Sequence, residues 1–177
     1  MDITKTAPVL FLGISTWLSG GKKLLPVALL LSAAGDLAGE EHSFLMQISL
    51  FALAHIAYIF HFGARAGFSR RKAIYIAIWA VCLLLIGGYI ISHIDTVVIK
   101  VACSVYMLLI GTMVATTFTI RSAYRWLYIA SAMLFLFSDS CIAWNKFVEH
   151  FAHAGVIIMS TYFAAQGIFA WLYLKKE

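Results

Sequence analysis

The stretch WLYIASAMLFLFSDSCIAWNKF, residues 126–147, is almost wholly apolar and is interrupted in its interior by the acid Asp139. A helix needs about 20 predominantly apolar residues to cross a bilayer, so this stretch predicts a membrane-spanning helix. An ionised carboxylate is costly to bury in such a helix without a partner. The stretch therefore predicts both the fold, a membrane bundle, and a functional acid inside it.

The composition extends this prediction to the whole chain. Of 177 residues, 63% are hydrophobic and 12% charged, with a mean hydropathy of +0.92. A soluble domain is nearer half apolar and a quarter charged. We therefore expect a single all-α integral membrane domain over residues 1–177. The net charge of +5 lies in segments between apolar runs and forms no aromatic-interleaved patch, so no nucleic-acid partner is expected.

Polar segments divide the chain into about seven predicted transmembrane helices. Their approximate ranges are 5–19, 23–39, 43–62, 72–92, 97–119, 126–147 and 153–174. The first two are short for a membrane span. The N-terminal stretch weakly resembles a signal peptide but lacks an A-x-A-like cleavage site, so we expect a retained helix.

The basic residues sort to one side of such a seven-helix arrangement. Ten fall in segments on one side: Lys22, Lys23, Arg65, Arg70, Arg71, Lys72, Arg121, Arg125, Lys175 and Lys176. Three fall on the other: Lys5, Lys100 and Lys146. Cytoplasmic loops carry the excess of Lys and Arg, which predicts the N-terminus outside and the C-terminus inside. We expect the inner (plasma) membrane of a bacterium, and no pattern indicates an oligomeric state.

The three cysteines, Cys82, Cys103 and Cys141, lie inside apolar segments and lack the spacing of a metal site. We expect small core residues, neither disulfide-bonded nor metal-binding.

Two acids remain well inside the predicted spans, Asp36 and Asp139. Their helices run in the same direction. At 1.5 Å per residue both acids come to roughly 20 Å from the inner boundary of a core about 30 Å thick. Two carboxylates at one depth can converge on one cavity. Because intramembrane ionisable residues are functional candidates by default, we predict that this pair is catalytic.

Other polar side chains at related depths are candidates for substrate binding or for supporting the acids. These are Glu40, His55, Tyr58, Ser138, Ser140, Asn145, Tyr162 and Gln166. The alternative for each is an ordinary interhelical hydrogen bond, worth about 0.6 kcal/mol on average.

Three classes of function remain open from the residues alone. A zinc-dependent lipid hydrolase of the alkaline ceramidase type would need three histidines, and His42, His150 and His153 can meet at one rim with Glu40 nearby. Only His55 is truly intramembrane. A proton-coupled carrier can use paired acids, although paired repeats and broken helices are not evident. The third class is an intramembrane hydrolase built on two carboxylates, without a metal or another cofactor.

Four ordered motifs favour the third class. They are GDLAGE (35–40), FALAHIAYIFHF (51–62), FLFSDSCIAWNKF (135–147) and STYFAAQG (160–167). Together they resemble the lysoplasmalogenase (YhhN-like) family of membrane proteins, from about Lys5 to the end of the last predicted helix. Members of that family have one helix more, and the first helix predicted here corresponds to their second.

The resemblance implies a reaction, a substrate and site residues. The reaction is cleavage of the vinyl ether (alkenyl) bond of a lysoplasmalogen, a lysophospholipid that enters from the bilayer among the membrane lipids. The products are a fatty aldehyde and glycerophosphoethanolamine or glycerophosphocholine. The family's acids map onto Asp36 and Asp139. Its pattern also matches the polar positions His55, Asn145, Tyr162 and Gln166.

This chemistry suits a pair of buried carboxylates. A vinyl ether is hydrolysed by protonation of its β-carbon, and the resulting oxocarbenium ion is captured by water. Desolvation favours the protonated form of a carboxylic acid, while hydrogen bonds favour the ionised form. One aspartate would then donate the proton and the other stabilise the cation, as in glycoside hydrolysis. The sequence leaves open which is which. Ser138, Ser140 and Asn145 are candidates for the hydrogen bonds that separate the two roles.

Overall fold

A computed structural model describes residues 6–40, 43–67 and 69–176, without the side chain of Glu40. Within these ranges the chain forms seven helices. They are α1 (Thr6–Leu18), α2 (Leu24–Glu40), α3 (Phe44–Gly63), α4 (Arg70–Ser92), α5 (Val97–Thr119), α6 (Arg125–Phe147) and α7 (Ala154–Leu174). Each helix begins and ends within two residues of the range expected from the sequence.

The helices have the length and composition of membrane spans. Among the described residues, α3 to α7 are long and apolar enough to cross a membrane, and α1 and α2 are shorter apolar helices. In lipid, each backbone N–H and C=O must find its partner within the protein, and an α-helix provides these partners along its own length. The all-helical fold is thus the one expected for a chain this apolar.

Six of the helices pack into a closed ring. Around the ring the order is α1, α2, α3, α5, α6 and α7, with α7 returning to α1. Helix α4 lies outside this ring, packed mainly on α5 and touching α6. Only one of its residues, Ile90, is buried.

The centre of the ring is filled by aromatic side chains. Tyr58 stacks on Phe62 with ring centroids 5.7 Å apart, and both rings lie 5.1 Å from Phe169 of α7. Phe135 of α6 is fully buried beside them. Close packing of large rings supplies the van der Waals contacts that hold helices together where lipid removes the hydrophobic driving force.

The α1–α2 turn is tied to the end of α7. Gly20 and Gly21 adopt φ values of 80° and 90°, a left-handed conformation open to glycine at little cost. The Tyr173 hydroxyl donates hydrogen bonds to the carbonyl oxygens of Gly20 at 2.6 Å and Lys22 at 3.1 Å. The turn and the C-terminus of α7 therefore share one end of the bundle.

The α3–α4 and α5–α6 connections meet at the same end. Ala66 and Ile120 form an isolated antiparallel bridge between them. The Lys72 ammonium donates to the carbonyl oxygens of Gly67 at 2.7 Å and Thr119 at 2.9 Å. These two connections with the adjoining helix starts, the α1–α2 turn and the residues after α7 together carry the ten basic residues named above, so we call this end of the bundle the basic end.

Candidate active site

Part of the site lies in the wall of a large cavity bounded by α3, α4, α5 and α6. Its volume is about 640 Å³, within the range typical of small-molecule sites, and its walls are mostly apolar. Asp139 and Ser140 of α6 and Tyr106 of α5 lie in its wall. A carboxylic acid thus faces a space large enough for a ligand.

Asp139 is partly buried and is hydrogen-bonded by the hydroxyl of Tyr106. This bond joins α5 to α6 and engages one carboxylate oxygen, Oδ2. Burying a polar group without a hydrogen bond is costly, so Tyr106 offsets part of the cost of placing the acid in an apolar wall. Tyr106 is not among the site residues predicted from the sequence. Its only signal was a tyrosine near the middle of an apolar helix.

Asp36 of α2 has a corresponding partner. The hydroxyl of Tyr162 on α7 donates to Asp36 Oδ2 at 2.9 Å. Asp36 is partly buried, and it is not among the residues that line the large cavity. The sequence suggested that the two acids converge on one cavity, whereas only Asp139 lines this one. The reason is that α2 packs on α1, α3 and α7, away from the cavity helices α4, α5 and α6.

A buried polar pair lies next to Tyr162. The Tyr58 hydroxyl donates to Gln166 Oε1 at 2.5 Å, linking α3 to α7. Tyr58 and Gln166 are both fully buried. The Gln166 amide also approaches the hydroxyl of Tyr162, so it lies between the two tyrosines. The Tyr58–Gln166 pair therefore lies beside Tyr162, the residue that donates to Asp36.

His55 lies beside Tyr106, the partner of Asp139. It is fully buried, and Nδ1 lies 2.6 Å from the Phe51 carbonyl oxygen, which accepts its hydrogen. In a neutral imidazole, that bond leaves Nε2 as the unprotonated ring nitrogen. Nε2 has no hydrogen-bond partner among the described residues. The ring contacts Tyr106 and Phe135, with centroids 5.2 Å and 4.9 Å away.

Phe135 connects the two halves of the site. Its ring lies 5.4 Å from Tyr162 and 4.9 Å from His55, in edge-to-face contact with both. Asp36 also lies within electrostatic range of Tyr106, the partner of Asp139. The two acid–tyrosine pairs are therefore neighbours across one aromatic cluster, with Asp139 on the side of the cavity.

The remaining predicted site residues have other surroundings. The Ser138 hydroxyl donates to the Ile158 carbonyl at 2.9 Å, an α6–α7 contact of the ordinary interhelical kind. Ser140 lines the cavity. Asn145 Oδ1 accepts from the Phe151 N–H at 3.2 Å and so fixes the α6–α7 connection. The side chain of Glu40 lies outside the described residues.

The cysteines differ from the expectation of a core position. Cys82, Cys103 and Cys141 are free thiols that all line the cavity, and Cys82 is exposed. Cys82 belongs to α4, which lies outside the helix ring and presents most of its surface to lipid. A small apolar side chain suits that position as well as it suits a core.

The histidines of the zinc alternative do not form a cluster in the described part of the chain. Among the described residues, no three His, Cys, Asp or Glu side chains are placed to share a metal ion. His42, one of the three histidines considered for zinc, lies outside those residues.

An apolar helical bundle that encloses two neighbouring carboxylate–tyrosine pairs defines a class, the membrane proteins with an intramembrane acidic site. The profile of the YhhN family matches residues 2–172. The chain belongs to the YhhN family.

Several curated relatives share most of their length with this chain. Rat "Lysoplasmalogenase TMEM86B" is 31% identical over 171 residues, which cover 93% of this chain and 69% of the relative. Human "Lysoplasmalogenase TMEM86B" is 32% identical over 173 residues, covering 93% and 71%. Bovine "Lysoplasmalogenase TMEM86A" is 30% identical over 154 residues, covering 81% and 62%. No solved structure matches the chain.

Proposed function

We propose that this protein is an intramembrane hydrolase that cleaves the vinyl ether bond of a lysoplasmalogen. The observation that carries the proposal is Asp139, a hydrogen-bonded acid in the wall of an apolar cavity. It stands in a chain of the YhhN family whose relatives are named lysoplasmalogenases. The products are a fatty aldehyde and the glycerophospho alcohol.

Asp139 is the proton donor in this mechanism because it is the acid that lines the cavity. Its protonated carboxyl gives a proton to the β-carbon of the vinyl ether. The double bond is consumed, and an oxocarbenium ion forms between the α-carbon and the ether oxygen. Tyr106 holds Oδ2, which leaves Oδ1 to carry and deliver the proton.

Water then completes the reaction. It adds to the α-carbon of the oxocarbenium ion, and the Asp139 carboxylate takes one of its protons, which restores the acid. The hemiacetal collapses: its hydroxyl proton passes to the glycerol oxygen, the carbon–oxygen bond to glycerol breaks, and the aldehyde forms. One vinyl ether and one water give one aldehyde and one alcohol.

Asp36 stabilises the cation in this scheme. The Tyr162 hydroxyl bonds to its carboxylate and favours the ionised form. A negative charge in a poorly screened interior attracts a developing positive charge over several ångströms. Asp36 lies within electrostatic range of Tyr106, the partner of the proton donor. The two acids thus divide the work as in glycoside hydrolysis.

The membrane orientation forms part of the proposal. We place the basic end in the cytoplasm, because cytoplasmic loops carry the excess of Lys and Arg, and the N-terminus outside. The membrane is the inner membrane of a bacterium. The end formed by the α4–α5 and α6–α7 connections, which we call the opposite end, then faces outward.

The test is release of fatty aldehyde from lysoplasmalogen by the purified protein. In Asp139→Asn we expect the rate to fall by roughly 10²- to 10⁴-fold, the usual contribution of a positioned general acid. In Asp36→Asn we expect a smaller loss. Asp95→Asn, which changes an acid in the α4–α5 connection, is the matched control and keeps full activity.

Three results would contradict the proposal. The first is no aldehyde above background from the wild-type protein, and the second is full activity in both site variants. The third is loss of activity in a strong chelator with recovery on adding zinc, which would favour the metal-dependent alternative.

A further inference from the structure

The cavity has an opening on its lipid-facing side, between α4 and α6. Ile86 of α4 lines the cavity and is 60% exposed. On the facing side, Phe137 and Met133 of α6 line it and are 51% and 39% exposed. Side chains that face both the cavity and the exterior lie at its rim. We call this gap between α4 and α6 the lateral opening.

An aromatic contact closes the lateral opening at one end, and a hydrogen bond fixes α4 near the other. Towards the opposite end, Tyr89 of α4 stacks on Trp144 of α6, with centroids 5.7 Å apart and planes at 26°. Towards the basic end, the Trp79 indole N–H donates to the Gly111 carbonyl at 3.0 Å and fixes α4 on α5.

The distance between these two contacts along α4 is comparable to the length of a lipid chain in one leaflet. Trp79 and Tyr89 are ten residues apart on one helix, which corresponds to about 15 Å of rise. The hydrocarbon core of a bilayer is about 30 Å thick, so one leaflet contributes roughly 15 Å. A single hydrocarbon chain in one leaflet therefore has the length to lie along the opening.

A cation lies at the headgroup end of the same cavity. The Lys146 ammonium lies 4.9 Å from the centroid of the Phe44 ring, and Phe44 lines the cavity. Lys146 follows Asp139 by seven residues on α6, about 10 Å along the helix axis. In a lysophospholipid, the glycerol backbone lies between the chain on its first carbon and the phosphate. One molecule can therefore reach from Asp139 to Lys146.

We propose that a single-chain phospholipid enters this cavity sideways through the lateral opening. Its chain lies between α4 and α6, its ether linkage lies at Asp139, and its phosphate lies beside Lys146. The inference rests on the proposed function and names the route and the binding residues of that substrate. Ile86 and Phe137 control entry, while Lys146 selects for the phosphate.

The test uses a saturated single-chain alkyl ether phospholipid, which has no vinyl ether to cleave, and measures its equilibrium binding to the purified protein in lipid nanodiscs. Ile86→Trp narrows the opening and is expected to weaken binding about tenfold, which corresponds to about 1.4 kcal/mol. Leu85→Trp is the matched control. Leu85 is the adjacent residue of α4, 69% exposed and not part of the cavity wall, so its variant binds like the wild type.

The headgroup is tested with a second pair of variants. Lys146→Gln is expected to weaken binding of the ether phospholipid about fivefold, roughly 1 kcal/mol, and to leave binding of the matching alkylglycerol, which lacks phosphate, unchanged. Lys100→Gln, at the start of α5 and outside the cavity wall, is the control for a general change in charge.

A third measurement leaves Ile86 and Phe137, the residues of the lateral opening, unchanged. In a variant whose only thiol is Cys82, bound ether phospholipid is expected to slow alkylation of this exposed cavity residue by a maleimide several-fold. Three results would each overturn the inference. They are alkylation of Cys82 at the same rate with and without bound lipid, equal binding by Ile86→Trp and Leu85→Trp, and equal binding of a two-chain ether phospholipid. Hydrolysis is not needed for binding, so failure of the catalytic proposal shows separately, as tight binding without aldehyde release from lysoplasmalogen.

Discussion

The Tyr106 hydroxyl reaches Asp139 from a different helix, and the Tyr162 hydroxyl reaches Asp36 in the same way. In each pair the donor holds one carboxylate oxygen and fixes the plane of the acid. Fixed geometry matters most for Asp139, since its proton has to be delivered to carbon along one direction. Positioning of this kind lowers the barrier of a reaction without adding to the affinity for the substrate.

We therefore expect Tyr106→Phe to lower kcat for aldehyde release about tenfold, or about 1.4 kcal/mol in barrier, with little change in KM. Steady-state kinetics over a range of lysoplasmalogen concentrations checks this. Tyr75→Phe, which removes a hydroxyl from an exposed position of α4, is the control and leaves both constants unchanged. An unchanged kcat in Tyr106→Phe would show that the bond to Asp139 has no part in positioning the acid.

The sequence indicated both acids and Tyr162, the partner of Asp36, but not Tyr106, the partner of Asp139, for a physical reason. A charged residue in an apolar segment is conspicuous because its burial is costly. Tyrosine is common in membrane helices for packing and for interfaces, so Tyr106 stands out only once the fold sets it against Asp139. The same limit applies to Ser138. Its neighbour in sequence is the acid, but its hydroxyl bonds to the Ile158 carbonyl.

At the scale of the elements, glycines let α4 approach α5. A Cβ atom added to Gly87 would collide with the sulfur of Met107, and one added to Gly111 would collide with Leu83. Small residues at helix crossings let backbones come close in membranes. The crossing holds the Trp79 bond to the Gly111 carbonyl, which fixes α4, one side of the lateral opening, on α5.

The adjacent residues Gly87 and Gly88 offer a matched test of this crossing. We expect Gly87→Leu to lower the melting temperature in detergent and to weaken binding of the ether phospholipid, because leucine displaces α4 from Met107. A Cβ at Gly88 meets nothing within 4 Å. Gly88→Leu should keep or raise the melting temperature, since leucine favours helix by up to about 1 kcal/mol over glycine. Identical melting in the two variants would contradict close packing at Gly87.

Helix positions followed from the sequence far better than helix neighbours did. Apolar runs bounded by polar residues mark the seven helices closely, because lipid permits little else for such a run. Which helices touch depends on shape, and short hydrophobic patterns do not encode shape. The position of α4 outside the ring, and with it the exposure of Cys82, therefore became evident only from the packing.

At the scale of the whole molecule, charge is strongly asymmetric. The connections that join at the Ala66–Ile120 bridge and at Tyr173 carry the ten basic residues of the basic end. Of the described residues, the opposite end holds Lys100 and Lys146. Such a bias sets orientation during insertion.

Orientation is measurable with single cysteines in a background without Cys82, Cys103 and Cys141. We expect a membrane-impermeant maleimide to label Glu149→Cys in intact cells, because Glu149 is exposed at the opposite end. Lys175→Cys, exposed at the basic end, should react only after the cells are permeabilised. The reverse labelling pattern would invert the proposed topology.

At the lateral opening, membrane lipid forms the part of the cavity wall that the protein does not provide. Hydrocarbon tails are as apolar as leucine, so the tail of any neighbouring lipid can occupy an apolar gap at similar free energy. The hydrophobicity of the tail therefore does not distinguish the substrate from bulk lipid, which is present in great excess. Selectivity has to come from the few polar contacts along the path, namely Asp139, Tyr106 and Lys146. The chemistry of the headgroup and linkage, not the length of the tail, would decide which lipid is processed.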